Sequence, residues 1–273
     1  MAGGMEERLW RILGWIVCGL VLAFLLLPLL VIVPMSFTSG NLLVFPLPGL
    51  SLRWYEEVLA SPAWRDAAWN SLFIGVFATI LALLVGVPAA IALAGPAFAG
   101  KRLVVALVLS PMIVPIVITA VAMFFFFVEV GLVGTYPGII LAHAVLGMPF
   151  VVITVTATLS TFDWNLMRAA ASLGALPLMA FRRVMLPIIA PGVASGALFA
   201  FATSFDEIVV ALFLGAPDQR TLPRQIFSGV REYVSPAIAA VATLLVLLAV
   251  LLLLTTEWLR HRARKLQAAP PQA

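Results

Sequence analysis

The chain has 273 residues, of which 63% are hydrophobic, and its formal charges are 16 Lys or Arg and 12 Asp or Glu. Charged residues make up 10%, against roughly 25% in a soluble domain, too few to cover a water-facing surface. This excludes a disordered chain, a nucleic-acid-binding domain and most soluble enzymes, and it makes the net charge of +4 loop charge that orients membrane spans.

Six runs contain no Asp, Glu, Lys or Arg: 12–52, 67–100, 103–128, 130–162, 184–205 and 233–256. Each holds the ~20 apolar residues with which a helix crosses ~30 Å of hydrocarbon. The predicted spans are Ile12–Met35, Ser71–Ala94, Leu103–Val128, Gly138–Leu159, Ile188–Leu214 and Ile238–Thr256. The runs lack the two-residue alternation of a membrane barrel, so the expected fold is an all-α membrane protein of six transmembrane helices. The first span is too long for a signal peptide and is read as retained. Its Cys18 is the only cysteine and reads as a packed apolar residue.

Six spans place both termini on one side. With the N-terminus inside, inner segments hold Arg8, Arg11, Lys101, Arg102, Arg168, Arg182, Arg183, Arg260, Arg262, Arg264 and Lys265. Outer segments hold only Arg53, Arg65, Arg220, Arg224 and Arg231, so the orientation is N-in and C-in. The organisation is an inner N-terminus (1–11), a membrane domain (12–256) and a basic inner tail (257–273), whose Pro/Ala/Gln-rich end reads as disordered.

The outer loop Ser36–Asn70 is rich in aromatics, including Trp54 and Tyr55, and Leu52–Ala60 fits a short helix at the outer surface. The inner turn Gly95–Lys101 matches G-x-x-x-x-G-K, but Arg102 stands where Ser or Thr would ligate Mg²⁺, and a membrane helix precedes it. No ATP site is assigned to this chain. The only histidines, His143 and His261, are far apart in sequence, so neither a metal cluster nor a catalytic arrangement is assigned. His143 lies inside a span, where a structural hydrogen bond is the favoured role.

The inner segment Thr161–Pro187 contains a short helix over Trp164–Leu173, with Asp163 as its N-cap and Gly174 as its stop. Leu166, Ala169, Ala170 and Leu173 make one apolar face at helical spacing. That face suits an interfacial helix or a docking element for an inner partner.

Asp206 and Glu207 stand inside the fifth predicted span. A carboxylate near the bilayer centre costs roughly 2.5–3.5 kcal/mol on insertion scales, so such residues face the bundle interior or an aqueous cavity. They read either as a structural pair or as a polar site on a solute path. Gly196, Ala200, Ser204, Glu207 and Ala211 share one stripe of small residues, suited to close helix packing. Prolines in the spans (Pro28, Pro88, Pro111, Pro115 and Pro149) favour a transporter over a simple anchor.

Ala169-Ala170-x-x-x-Gly174, then nine residues, then Val184-Met185-Leu186-Pro187, resembles the EAA motif of permease subunits of bacterial binding-protein-dependent ABC importers. Trp54-Tyr55, Ser110-Pro111, Pro149-Phe150-Val151-Val152, Ser204-Phe205-Asp206-Glu207 and Thr221-Leu222-Pro223 resemble the spermidine/putrescine branch, in particular its second membrane subunit. There are two departures. Arg168 replaces the motif's leading Glu, and Met112 stands where polyamine permeases can carry an Asp.

The resemblance implies a type I ABC importer permease fold in the bacterial inner membrane. It implies a coupling role for Trp164, Arg168, Ala169, Ala170, Gly174, Leu186 and Pro187, and a substrate path at Trp54, Ser204, Asp206 and Glu207. The implied partners are a homologous permease subunit, a cytoplasmic ABC ATPase dimer that binds ATP and Mg, a periplasmic solute-binding protein and membrane lipid, with no nucleic acid. The implied solute is a polyamine; the alternatives are an amino-acid-like or other small polar solute and, more distantly, a secondary transporter or channel.

Overall fold

A computed structural model describes residues 3–232 and 235–267. Among these the chain is helical, and its only β pairing is an isolated bridge between Thr38 and Leu50. The backbone divides into two units, Met1–Pro62 with Ser228–Leu251, and Ala63–Phe227 with Leu252–Ala273.

In the first unit, α1 (Gly3–Met35) is exposed along nearly all of its span Trp10–Met35, although from Ile12 onward it is apolar on every side. Such a helix is stable only where its surroundings are apolar too. The chain then folds back. Ser51 N–H donates to Phe37 O at 2.7 Å, and Ser39 N–H donates to Gly49 O at 3.0 Å. This hairpin leads into α2 (Arg53–Ala60), the expected surface helix. The unit also contains the first part of α12 (Pro236–Gln267), which carries the last predicted span and continues as helix through the basic residues to Gln267. The tail end expected to be disordered, 268–273, lies outside the described residues.

The second unit is built on α3 (Pro62–Ala94), α4 (Lys101–Ile113), α5 (Ile116–Glu129), α6 (Tyr136–Leu159) and α9 (Leu186–Phe205). Among the described residues five helices are long and apolar enough to cross a membrane, and the pair α4 and α5 makes up to six. That pair is the third predicted span, and it is not one straight helix: it bends by 108°. The cause is local. Pro115 brings no N–H, and it drives Val114 into extended backbone (φ −71°, ψ 133°).

The fifth predicted span differs at both ends. A continuous helical stretch begins at Pro177, as α8 (Pro177–Ala180) and a π-turn (Phe181–Met185) running into α9. In α geometry the Pro187 ring would strike the carbonyl of Arg183, and the wider π-turn just before it relieves that clash. At the other end α9 stops at Phe205, and a separate short helix, α10 (Val209–Leu214), follows.

The core holds Val151, Val155 and Leu159 of α6 against Ile189 of α9 and Val87 and Leu93 of α3. The antiparallel α6 and α9 nearly touch. Gly192 faces Thr158 Oγ1, a Cβ at Gly196 would lie 2.9 Å from Val151 Cα, and one at Gly147 would lie 3.0 Å from Ala200 Cβ. The small-residue stripe is therefore real over Gly196, Ala200 and Ser204, and it ends where α9 ends.

Candidate functional site

Three features meet at the last turn of α9. Ser204 is buried, and its hydroxyl lies 2.8 Å from Nδ1 of the fully buried His143 on α6. His143 Nε2 has no hydrogen-bond partner. Two residues on, the helix breaks. Asp206 N–H makes the closing bond to Ala202 O at 3.0 Å, and the Asp206 side chain is exposed.

Glu207 is half-buried, and its carboxylate accepts from Val210 N–H at 2.8 Å, satisfying an otherwise unpaired donor of α10. The two carboxylates thus stand in a break between helices rather than within a span. For Glu207 the reason is energetic: a half-buried carboxylate gains more by accepting a free helix-end N–H than by standing in mid-helix.

A polar staple that sequence reasoning missed holds the segment after α10. Asn70 of α3, nearly fully buried, donates to Asp218 O at 2.8 Å and Arg220 O at 3.0 Å, and accepts from the Tyr136 hydroxyl at 2.7 Å. Gln219 donates to Gly134 O at 3.0 Å, and Ser71 Oγ accepts from Leu222 N–H at 2.8 Å. Arg224, on α11 (Leu222–Glu232), gives its guanidinium to Ala211 O, Gly215 O and Ala216 O at 3.0–3.3 Å, capping the C-terminal end of α10. Desolvation, with a smaller push from Arg220, lowers the Arg224 pKa from its usual range. The one sequence signal was an Asn at the mouth of an apolar run.

Trp54 stands in the other unit. It is 6% exposed. Its indole N–H donates to Gly40 O at 3.2 Å, and the Arg53 guanidinium covers its ring at 4.3 Å. The Arg53 guanidinium also bonds Asn41. Trp54 is thus a pin under the hairpin of its own unit.

On the inner segment, α7 (Asn165–Ser172) lies one residue inside the expected Trp164–Leu173 at each end, with Trp164 rather than Asp163 in the N-cap position. Asp163 accepts from Asn165 N–H at 2.9 Å. Gly174 has φ +80°. Its N–H bonds Ala171 O at 2.9 Å, and Ala175 N–H bonds Ala170 O at 3.0 Å, the paired bonds of a Schellman stop. Trp164 anchors the helix edge-on against the buried Phe162.

The predicted apolar face is split. Ala170 is buried and Met167 packs on the core, while Leu166, Ala169 and Leu173 face outward. Leu173 is 88% and Leu176 70% exposed. Arg168 is exposed, and its guanidinium bonds the Asn165 side chain. Beside them a groove of about 480 Å³ is lined by Leu176, Leu178, Met179, Arg182 and Arg183. Leu186 packs on the core, and Pro187 is exposed.

The turn with the G-x-x-x-x-G-K spacing is a helix connection, with Gly100 at φ +86°. Lys101 Nζ donates to Gly95 O at 3.0 Å, closing the turn on itself.

The fold matches that of a bacterial ABC transporter involved in the import of alginate, with a TM-score of 0.75, 19% identity, and 92% of this chain and 96% of that chain covered. Residues 82–265 match the family described as "Binding-protein-dependent transport system inner membrane component", and the chain belongs to that family. It is an inner-membrane, multi-pass transport subunit. It is similar to the spermidine/putrescine transport system permease protein PotC of Haemophilus influenzae, with 32% identity covering 89% of this chain and 94% of that one. It is also similar to the putrescine permease protein PotI of Escherichia coli (35% identity; 86% and 85% covered). The trehalose permease protein SugB of Mycobacterium tuberculosis is 29% identical, with 86% of each chain covered.

Proposed function

We propose that this chain is one of two permease subunits of an ATP-driven importer, and that it passes a polyamine of the spermidine/putrescine class into the cytoplasm. The similarity to PotC over most of both chains carries the reading. The exposed carboxylate of Asp206 at the α9 break suits a cationic solute.

A periplasmic binding protein delivers the solute at the outer face. A cytoplasmic ATPase dimer binds ATP and Mg and seats the outward side of α7, with Leu166, Ala169 and Leu173 as the contact and Arg168 beside them. The rigid stop at Gly174 and the unbroken helix from Pro177 give that push a stiff path into α9, a lever of about 30 Å over its 20 residues. At its far end stand Ser204, Asp206 and Glu207. Because α6 and α9 interlock without space between them, they move together, as rocking of packed helices requires.

A second reading, a neutral small polar solute, is favoured by the similarity to SugB and by Met112.

The test is uptake of labelled spermidine, putrescine and trehalose by the complete transporter in proteoliposomes. Glu207→Gln keeps the acceptor oxygen that caps α10 and removes only the charge; Asp206→Asn does the same for the exposed position. On the polyamine reading, Asp206→Asn lowers polyamine uptake about tenfold or more with ATPase co-purification unchanged. Wild-type uptake in both variants rejects the path, and trehalose uptake without polyamine uptake selects the second reading.

A further inference from the structure

A buried histidine holds the end of α9 that carries the acidic break. His143 is fully buried in α6, and Ser204 in the last turn of α9 is 4% exposed. Their 2.8 Å bond joins residues 61 positions apart across the α6–α9 contact. Below it, contact between the two helices is made by Gly147 with Ala200, Thr154 with Gly196 and Thr158 with Gly192, which fix separation by shape alone. Shape sets the distance between two helices. A hydrogen bond also sets their register, because sliding by one residue would break it. Ser204 lies two residues before Asp206, so whatever fixes Ser204 fixes where α9 ends and where the break begins.

His143 Nε2 has no partner in this arrangement. A leucine would fill the site with no unpaired nitrogen but would strip the buried Ser204 hydroxyl of this partner, so the imidazole answers the serine as well as the space.

We propose that His143 is a positioning residue of the solute path: through Ser204 it sets the register of the α9 end and thereby the placement of Asp206 and Glu207. The role rests on the reading of the break as the solute path, but its geometric part can be tested without it.

Ser204→Ala removes the partner hydroxyl. His143→Leu removes the imidazole at similar size. His143→Asn places an amide where Nδ1 stood, and an amide can pair with a hydroxyl as donor or acceptor, so it keeps the bond and discards Nε2. Each is made in two settings within the complete transporter. The first carries Cys18→Ser and Asp206→Cys, so that labelling by a membrane-impermeant maleimide reports the break alone. The second retains Asp206, and polyamine uptake is measured.

Ser204→Ala and His143→Leu change the labelling rate by about fivefold or more and lower uptake, while His143→Asn leaves both near the parent. The proposal is overturned if Ser204→Ala labels at the parent rate, or if His143→Asn behaves as His143→Leu does. If His143→Leu fails to assemble, Ser204→Ala, the smaller change, decides. A changed labelling rate with uptake intact overturns the role in transport. The solute-path reading itself fails separately, through Asp206→Asn and Glu207→Gln.

Discussion

Replacing Gly196 with valine isolates the α6–α9 contact. A Cβ there would lie 2.9 Å from Val151 Cα and 2.6 Å from Thr154 Oγ1. Carbon atoms pack best at about 3.5–4.0 Å. The threonine side chain can turn, but Val151 Cα is backbone, so the helices must part by about half an ångström or more, and contacts along the seam weaken together. Overpacking of this kind costs about 1–3 kcal/mol. Valine gains a few tenths of a kcal/mol over glycine in helix propensity, leaving a net cost of about 2 kcal/mol. For a chain of this size that lowers Tm by about 4–8 °C. Gly19→Ala is the matched control, because nothing lies within 4 Å of a Cβ at Gly19. The assay is thermal unfolding of the purified complex at one scan rate, with the variants side by side. A Gly196→Val transition within about 1 °C of wild type would refute the contact.

Two further outcomes follow from the same geometry. Gly174→Val meets no neighbour, yet forces a β-branched residue to φ +80°, at a cost of about 1–2 kcal/mol in the helix stop. By the same conversion the Tm falls by about 2–8 °C, and the ATPase should co-purify about fivefold more weakly; unchanged co-purification counts against a coupling role for α7. Asn70→Leu removes three buried hydrogen bonds at nearly constant size, so the segment around exposed Arg220 should loosen and trypsin should cut there about ten times faster. Unaltered cleavage would mean that Gln219 and Arg224 hold the segment without it.

The helix stop at Gly174 and the surface helix beginning near Leu52 were legible because both depend on residues a few positions apart. The bend at Val114–Pro115 was half legible. Proline removes one N–H wherever it stands, but whether a helix kinks or breaks depends on what surrounds the freed groups. Asp206 and Glu207 were found as exceptions within an apolar run, yet placed wrongly inside a helix, because the run continues past them. Trp54 drew notice as an exposed-loop aromatic, and its own hairpin buries it.

Composition and spacing by themselves determined the class. A run of ~20 apolar residues must be a helix in lipid, because hydrocarbon offers no other partner for backbone N–H and C=O. The motif over Ala169–Pro187 pointed by resemblance to the family whose model the chain matches. The tertiary structure alone decided the pairings: His143 with Ser204, Asn70 with the Asp218–Arg220 backbone, Gly192 and Gly196 with the threonines of α6. A polar or missing side chain in an apolar run states only that something must meet it. Which group meets it is set by a helix many residues away, and that depends on how the packed helices register against one another.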